Sequence, residues 1–148
     1  MSAEMSHSFH FLDDIATADL AFEAVGDSLQ DLFQGATGAL IETLADPATV
    51  GVTWRQVVER TDLDPAELLF DWLSDVVYWK DAAGVVYHCV ELVVTQDGQF
   101  WNLIATLHGA PVDHKTQCLR NDVKGITKHL YHVKQEGTQW RARVVIDV

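Results

Sequence analysis

Sulfur and positive charge are both scarce in this chain, and each shortage closes off a class of function. There are two cysteines, Cys89 and Cys118, and neither belongs to a CxxC pair. That excludes a zinc ribbon and a thioredoxin-type redox motif and leaves two reduced thiols, as in a cytoplasmic protein. Lys and Arg number 10 against 22 Asp and Glu, a net charge of −12. Nucleic-acid binding without sequence preference draws its affinity from Lys and Arg on phosphates, so no direct nucleic-acid binding is expected. The acidity fits a basic partner or a surface that gathers cations, as well as plain solubility. No apolar run approaches the roughly 20 residues needed to cross a bilayer. The N-terminus has neither a basic region nor an apolar core, so no secretory signal and no membrane contact are expected. A Gly-rich phosphate loop, GxGxxG and GxSxG are all absent.

What remains is an ordinary globular composition, 48% hydrophobic and 22% charged over 148 residues. A chain of this length forms one domain that buries about 70% of its unfolded surface. The expectation is a single domain over 1–148, with residues 1–7 as a flexible N-terminus and no repeat or linker. Phe9 to Leu12 reads as a first strand. From Ala18 to Val25 the residues alternate, with Leu20, Phe22 and Ala24 on one face and Asp19, Ala21 and Glu23 on the other. Ser28 caps a helix over 29–44, which Asp46-Pro47 ends. Val50 to Arg60 alternates imperfectly and is read as a strand. Asp64-Pro65 opens a second helix, with the aspartate as N-cap and proline at the first helical position. Gly84 stops it. Beyond that point the period falls to near 2. Val85 to Thr95 and Phe100 to His108 flank the hairpin signature Asp97-Gly98, and Gly109-Ala110-Pro111 breaks the second of them. After a polar loop, Asp122 to Lys134 and Trp140 to Val148 form a last hairpin around Glu136-Gly137. Hairpin-joined strands are antiparallel, and two amphipathic helices can cover one face of such a sheet. The expected class is α+β, a two-layer domain with a mostly antiparallel sheet of about seven strands and two helices on one face.

Few residues offer chemistry. His129 and His132 are three apart, as are His7 and His10, which on a strand sends each pair to opposite faces and leaves a histidine zinc site unsupported. Asp19 and Asp147 are stronger candidates, each on the polar face of its strand. Two carboxylates with the oxygens of Val148 make an all-oxygen set, suited to Ca²⁺, Mg²⁺ or Mn²⁺. Spacing alone does not bring the two strands together, and the alternative is two unrelated surface acids.

Four motifs, in order, resemble those of the archease family. They are Asp-Ile-Ala-Thr-Ala-Asp at 14–19 followed by Phe-Glu-Ala at 22–24, Leu-Leu-Phe-Asp-Trp-Leu-Ser-Asp at 68–75, Asp-Val-Lys-Gly-Ile-Thr at 122–127, and Val-Val-Ile-Asp-Val at 144–148. The resemblance implies a small α+β protein, not itself an enzyme, that activates an RtcB-type RNA ligase in tRNA splicing and RNA repair. Such an activator promotes guanylylation of the ligase and its repeated turnover. By the same resemblance a divalent metal, Ca²⁺ ahead of Mg²⁺ or Mn²⁺, falls to Asp19, Asp147 and an oxygen of Val148. Activation and partner contact fall to Lys124, to Asp75 where many members have Glu, and to His129. The chain departs from the family pattern in three places. Ala16 stands where His is common, Gly125 where Ala is usual, and Lys128 where Tyr is common. Two other readings are a chaperone-like modulator of several partners, which needs a large exposed apolar patch, and a small metal-dependent hydrolase. The hydrolase needs a concave pocket and a general base beside the metal, and no obvious base is present.

Overall fold

A computed structural model describes residues 6–12 and 19–148. The segment 13–18, which carries most of the first family motif, and residues 1–5 lie outside the described residues. Within them the chain runs β1 (His7–Leu12), β2 (Asp19–Gly26), α1 (Leu29–Leu44), a 3-10 turn (Pro47–Thr49), β3 (Trp54–Asp62), α2 (Pro65–Ala83), β4 (Val85–Asp97), β5 (Phe100–Pro111), β6 (Gly125–Glu136) and β7 (Gln139–Asp147). The α+β class and the two helices and seven strands are as expected. No helix among the described residues is long and apolar enough to cross a membrane.

The strands do not form one sheet. They divide into a four-stranded sheet, ordered β1-β2-β7-β6, and a three-stranded sheet, ordered β3-β5-β4, with every pairing antiparallel. The helices accordingly do not cover one face of a single sheet. α1 packs on β1, β2 and β7 of one sheet and on β4 of the other, and α2 packs on β6 of the first and on all three strands of the second. One core therefore joins Phe22, Ala24 and Val144 to Leu103, Leu107 and Trp72. α1 is buried almost all round, as a helix between two sheets must be. A polar bridge links the helices inside this core. The Trp72 indole N–H donates to Thr37 Oγ1 at 2.8 Å, and that hydroxyl donates to the Phe33 carbonyl at 2.6 Å.

The sheet divides because β5 and β6 are not joined by a hairpin. Residues 112–124 cross from one sheet to the other, fastened on the way to the end of α1. Asp46 N–H donates to the Cys118 carbonyl at 2.9 Å, and Arg120 N–H to Leu44 at 3.0 Å. Asn121 serves the Thr43 carbonyl twice, from its N–H at 3.1 Å and its side-chain Nδ2 at 3.0 Å. Arg120 Nη1 donates to the Glu42 carbonyl at 2.8 Å.

Other differences have local causes. The strand expected from Val50 starts at Trp54, because Asp46 caps the Ala48 N–H and Pro47 opens a 3-10 turn. β5 does not break at Gly109. It continues to Pro111, and Gly109 is a close approach, where an added Cβ would lie 2.1 Å from the Val86 carbonyl oxygen. At the start of β1 His7 pairs with Gly26, and the Ser6 carbonyl accepts from Asp27 N–H at 2.9 Å. The edge of β4 is met by α1 through two glutamines one turn apart. Gln34 Nε2 donates to the Val90 carbonyl at 3.2 Å, and Gln30 Oε1 accepts from Val94 N–H at 3.1 Å.

Candidate functional site

β2 begins with Asp19 and β7 ends with Asp147, and the two strands pair antiparallel. The register is set by the core. Leu20 faces Ile146, Phe22 faces Val144 and Ala24 faces Ala142, and most of these side chains have no exposure. Sliding the strands by one residue would turn all of them to the wrong face. The same register places Asp19 directly opposite Asp147. Directly opposed residues on antiparallel strands have Cβ atoms about 4.5–5.5 Å apart, and like charges there destabilise the sheet. Core packing thus fixes the juxtaposition of the two carboxylates.

A third strand joins this row, since Gly125 of β6 pairs with Asp147 from the other side. Just before it, Lys124 N–H donates to the Asp147 carbonyl at 2.8 Å. Lys124 is exposed, Asp147 exposed, Asp19 half-buried, and Val148 half-buried against the core. The structure therefore brings Asp19, Asp147, Val148 and Lys124 to one end of the four-stranded sheet. It places the other two candidates elsewhere. Asp75 on α2 is held bidentate by Arg60 of β3, with Arg60 Nη2 donating at 2.9 Å. That pair raises the Arg60 pKa, chiefly through the hydrogen bond to Asp75. His129 lies in a bulge of β6, where the register with β7 shifts between Thr127 and His132, and Leu130 takes φ 56°. Its N–H donates to Thr127 Oγ1 at 3.2 Å. The bulge also removes the alternation on which opposite faces for His129 and His132 depended. It is tied to α2 by Tyr131, whose hydroxyl donates to the Ala66 carbonyl at 2.6 Å, and by Lys128. Lys128 pairs with Glu67 and sits 4.4 Å above the Phe70 ring.

For a metal, the row offers two carboxylates and backbone oxygens. These are hard donors that fit Ca²⁺, Mg²⁺ or Mn²⁺ and would not favour zinc. Among the described residues no three side chains of His, Cys, Asp and Glu gather into a metal-binding group. The donors on hand are thus the aspartate pair with main-chain oxygen. A cavity of about 370 Å³ opens beside Leu20, but its lining of Phe9, Phe11, Leu20, Glu42, Thr43, Arg120 and Asn121 contains neither aspartate.

One constellation is invisible to spacing. On the outer face of the three-stranded sheet, Cys89 pairs with His108, and His108 Nε2 lies 2.6 Å from Glu91 Oε1. The arrangement has the members of a cysteine nucleophile. Yet burial, aided by the charge of Glu91, pushes the Cys89 thiol up rather than down, opposite to what an activated thiolate needs.

Residues 9–148 match the Archease protein family (MTH1598/TM1083). Protein archease of Methanothermobacter thermautotrophicus is 28% identical over 140 residues, covering 95% of this chain and 98% of that protein. Protein archease of Methanopyrus kandleri is 28% identical over 132 residues, covering 89% and 94%. Among solved structures, Methanobacterium thermoautotrophicum protein 1598 in solution superposes with a TM-score of 0.77 at 27% identity, over 98% of this chain and 100% of that one. The crystal structure of a Thermotoga maritima archease, described as a possible chaperone, shares the fold with a TM-score of 0.59 at 20% identity, over 94% and 98%.

Proposed function

The chain belongs to the archease family, and from that premise we propose that it is a cytoplasmic protein activator of an RtcB-type RNA ligase. In this reading it promotes guanylylation of the ligase and lets it turn over repeatedly in tRNA splicing and RNA repair, without catalysing ligation itself. The observation that carries the proposal is the opposition of Asp19 and Asp147 with Lys124 bonded to the Asp147 main chain. The two opposed carboxylates, with an oxygen of Val148, would hold a divalent cation, Ca²⁺ foremost. When bound, that ion neutralises the pair and supplies a point of positive charge. Lys124, a compact ammonium on a flexible stem, reaches a phosphate group of the ligase's nucleotide. Asp75 and His129 act in partner contact from α2 and the β6 bulge.

The test is an RNA ligation assay with ligase kept well below its RNA substrate, across several divalent metals and GTP levels. Product is expected to exceed one equivalent of ligase only when this protein is added. Asp19→Ala and Asp147→Ala are expected to abolish that gain with an unchanged circular dichroism spectrum. Full activation by either variant would overturn the acidic-tip reading.

A second reading, a chaperone-like modulator of several protein partners, has its own support. Val57, Val93, Phe100 and Ile104 stand exposed on the outer face of the three-stranded sheet, with Val93 directly opposite Ile104. If the ligase is indifferent to this protein while unfolded clients stay clear in light scattering, that reading takes first place. Ile104→Lys should then abolish the effect.

A further inference from the structure

Lys80 lies in the last turn of α2, and its side chain is only 9% exposed. A buried ammonium is tolerated when all three of its N–H groups find acceptors. Here two N–H groups donate, to Asp122 Oδ1 (3.0 Å) and the Val123 carbonyl (2.6 Å), and the ammonium is ion-paired with Asp81 Oδ1 at 2.7 Å. Burial alone would lower the Lys80 pKa, but the hydrogen bonds and charges of Asp81 and Asp122 outweigh it and hold the pKa raised, so the group stays charged. The two carboxylates are themselves open to water, 64% and 85% exposed. The Val123 carbonyl belongs to a residue with no exposure. Of the three contacts, the one to Val123 is therefore the one solvent cannot replace.

That carbonyl shares a peptide plane with the Lys124 N–H, and a peptide plane moves as one rigid unit. Its oxygen is held by Lys80 at 2.6 Å and its N–H by the Asp147 carbonyl at 2.8 Å. The plane is gripped on opposite sides, by the end of α2 and by the end of β7, and rotation about either neighbouring bond would break both contacts. The clamp fixes this peptide and with it the position of the Lys124 Cα, from which the side chain leaves. We propose that Lys80 is a positioning residue for Lys124, with α2 pressing the 123–124 peptide onto β7 so that Lys124 is held at the sheet end that carries Asp19 and Asp147. The consequence for activation rests on the ligase reading above; the clamp itself does not.

Lys80→Met keeps the aliphatic stem and removes the donors. In the full-length, isotopically labelled protein, amide hydrogen exchange at Lys124 should accelerate about tenfold relative to wild type, while amides of Leu73 and Val76 keep their protection. In the ligase assay, maximal stimulated turnover should fall about tenfold, to the level of Lys124→Ala, with the half-saturating protein concentration moving less than about twofold. The double variant should be no worse than Lys124→Ala alone, and Lys80→Arg, which restores donors, should recover part of the turnover. Should Lys80→Met fold poorly, Asp122→Asn at the exposed arm of the clamp should still loosen the Lys124 amide by about threefold. Unchanged exchange at Lys124 in Lys80→Met would overturn the clamp. Additive losses in the double variant would overturn the claim that Lys80 acts through Lys124. If Lys124→Ala activates as wild type does, the ligase reading fails, and the exchange experiment still decides the clamp.

Discussion

The two helices begin alike and end differently. Ser28 caps α1 by accepting from Asp31 N–H at 3.1 Å, and Asp64 caps α2 by accepting from Ala66 N–H at 2.9 Å. At the other end α2 stops on its own sequence. Gly84 turns left-handed with φ 64° and returns its N–H to the Lys80 carbonyl. α1 has no such residue. Its C-cap, Ala45, is extended, no basic side chain lies in its last turn, and its final carbonyls take donors from Arg120 and Asn121. A helix that ends in a surface turn can carry its stop signal locally. α1 leaves carbonyls that fix a distant segment, and that segment leads within three residues to Lys124.

The largest effect is expected at the entry to α1. A Cβ added at Gly26 would lie 2.3 Å from Leu32 N and 2.7 Å from the Asp31 carbonyl carbon, so Gly26→Ala should lose about 3 kcal/mol or more in urea denaturation. Next, Arg120→Ala combined with Asn121→Ala strips donors from the end of α1 and should cost about 2 kcal/mol, with faster amide exchange at Lys124 as well. A cost no larger than that of Gly84→Ala would break the contrast between the two helix ends. Thr37→Val leaves the Trp72 indole N–H without its partner at the crossing of the helices, and should cost about 1.5 kcal/mol. Gly84→Ala, which forces a side chain into a left-handed turn, should cost about 1 kcal/mol and leave Lys124 exchange untouched. The smallest effect is confined to alkaline solution. The Lys80 pKa is raised above 10.5 on folding, so its contribution is complete below pH 10.5 and is lost as pH climbs through the folded value. Lys80→Met should therefore flatten the stability–pH curve above pH 10.5 and leave its shape below that unchanged.

Where a signal is short-range, the sequence is a good guide. Helix α1 at 29–44, the Asp64-Pro65 start and Gly84 stop of α2, the Asp97-Gly98 turn and the alternation of β7 all follow from neighbouring residues. The faces of Asp19 and Asp147 follow from parity in the same way. Their meeting does not, because register is decided by Phe22, Ala24 and Val144 across the core. The division into two sheets was hidden for a related reason, since it depends on residues 118–121 bonding to α1. The bulge at Lys128–Tyr131 was hidden because it answers to Glu67, Phe70 and Ala66 on another element. Lys80 reads in sequence only as a favourable cation at a helix C-terminus; its grip on Val123 is a tertiary fact.

Gln30 and Gln34 have a bearing on how copies of this molecule behave toward one another. β4 is an outer strand of its sheet, and an uncovered outer strand offers a ladder of N–H and C=O groups to which a neighbouring molecule can add its own. The two glutamine amides of α1 occupy that ladder at Val90 and Val94, as a further strand would. They take up part of the ladder on the β4 edge, which makes that strand a poorer template for another chain beside the exposed Val93 and Ile104.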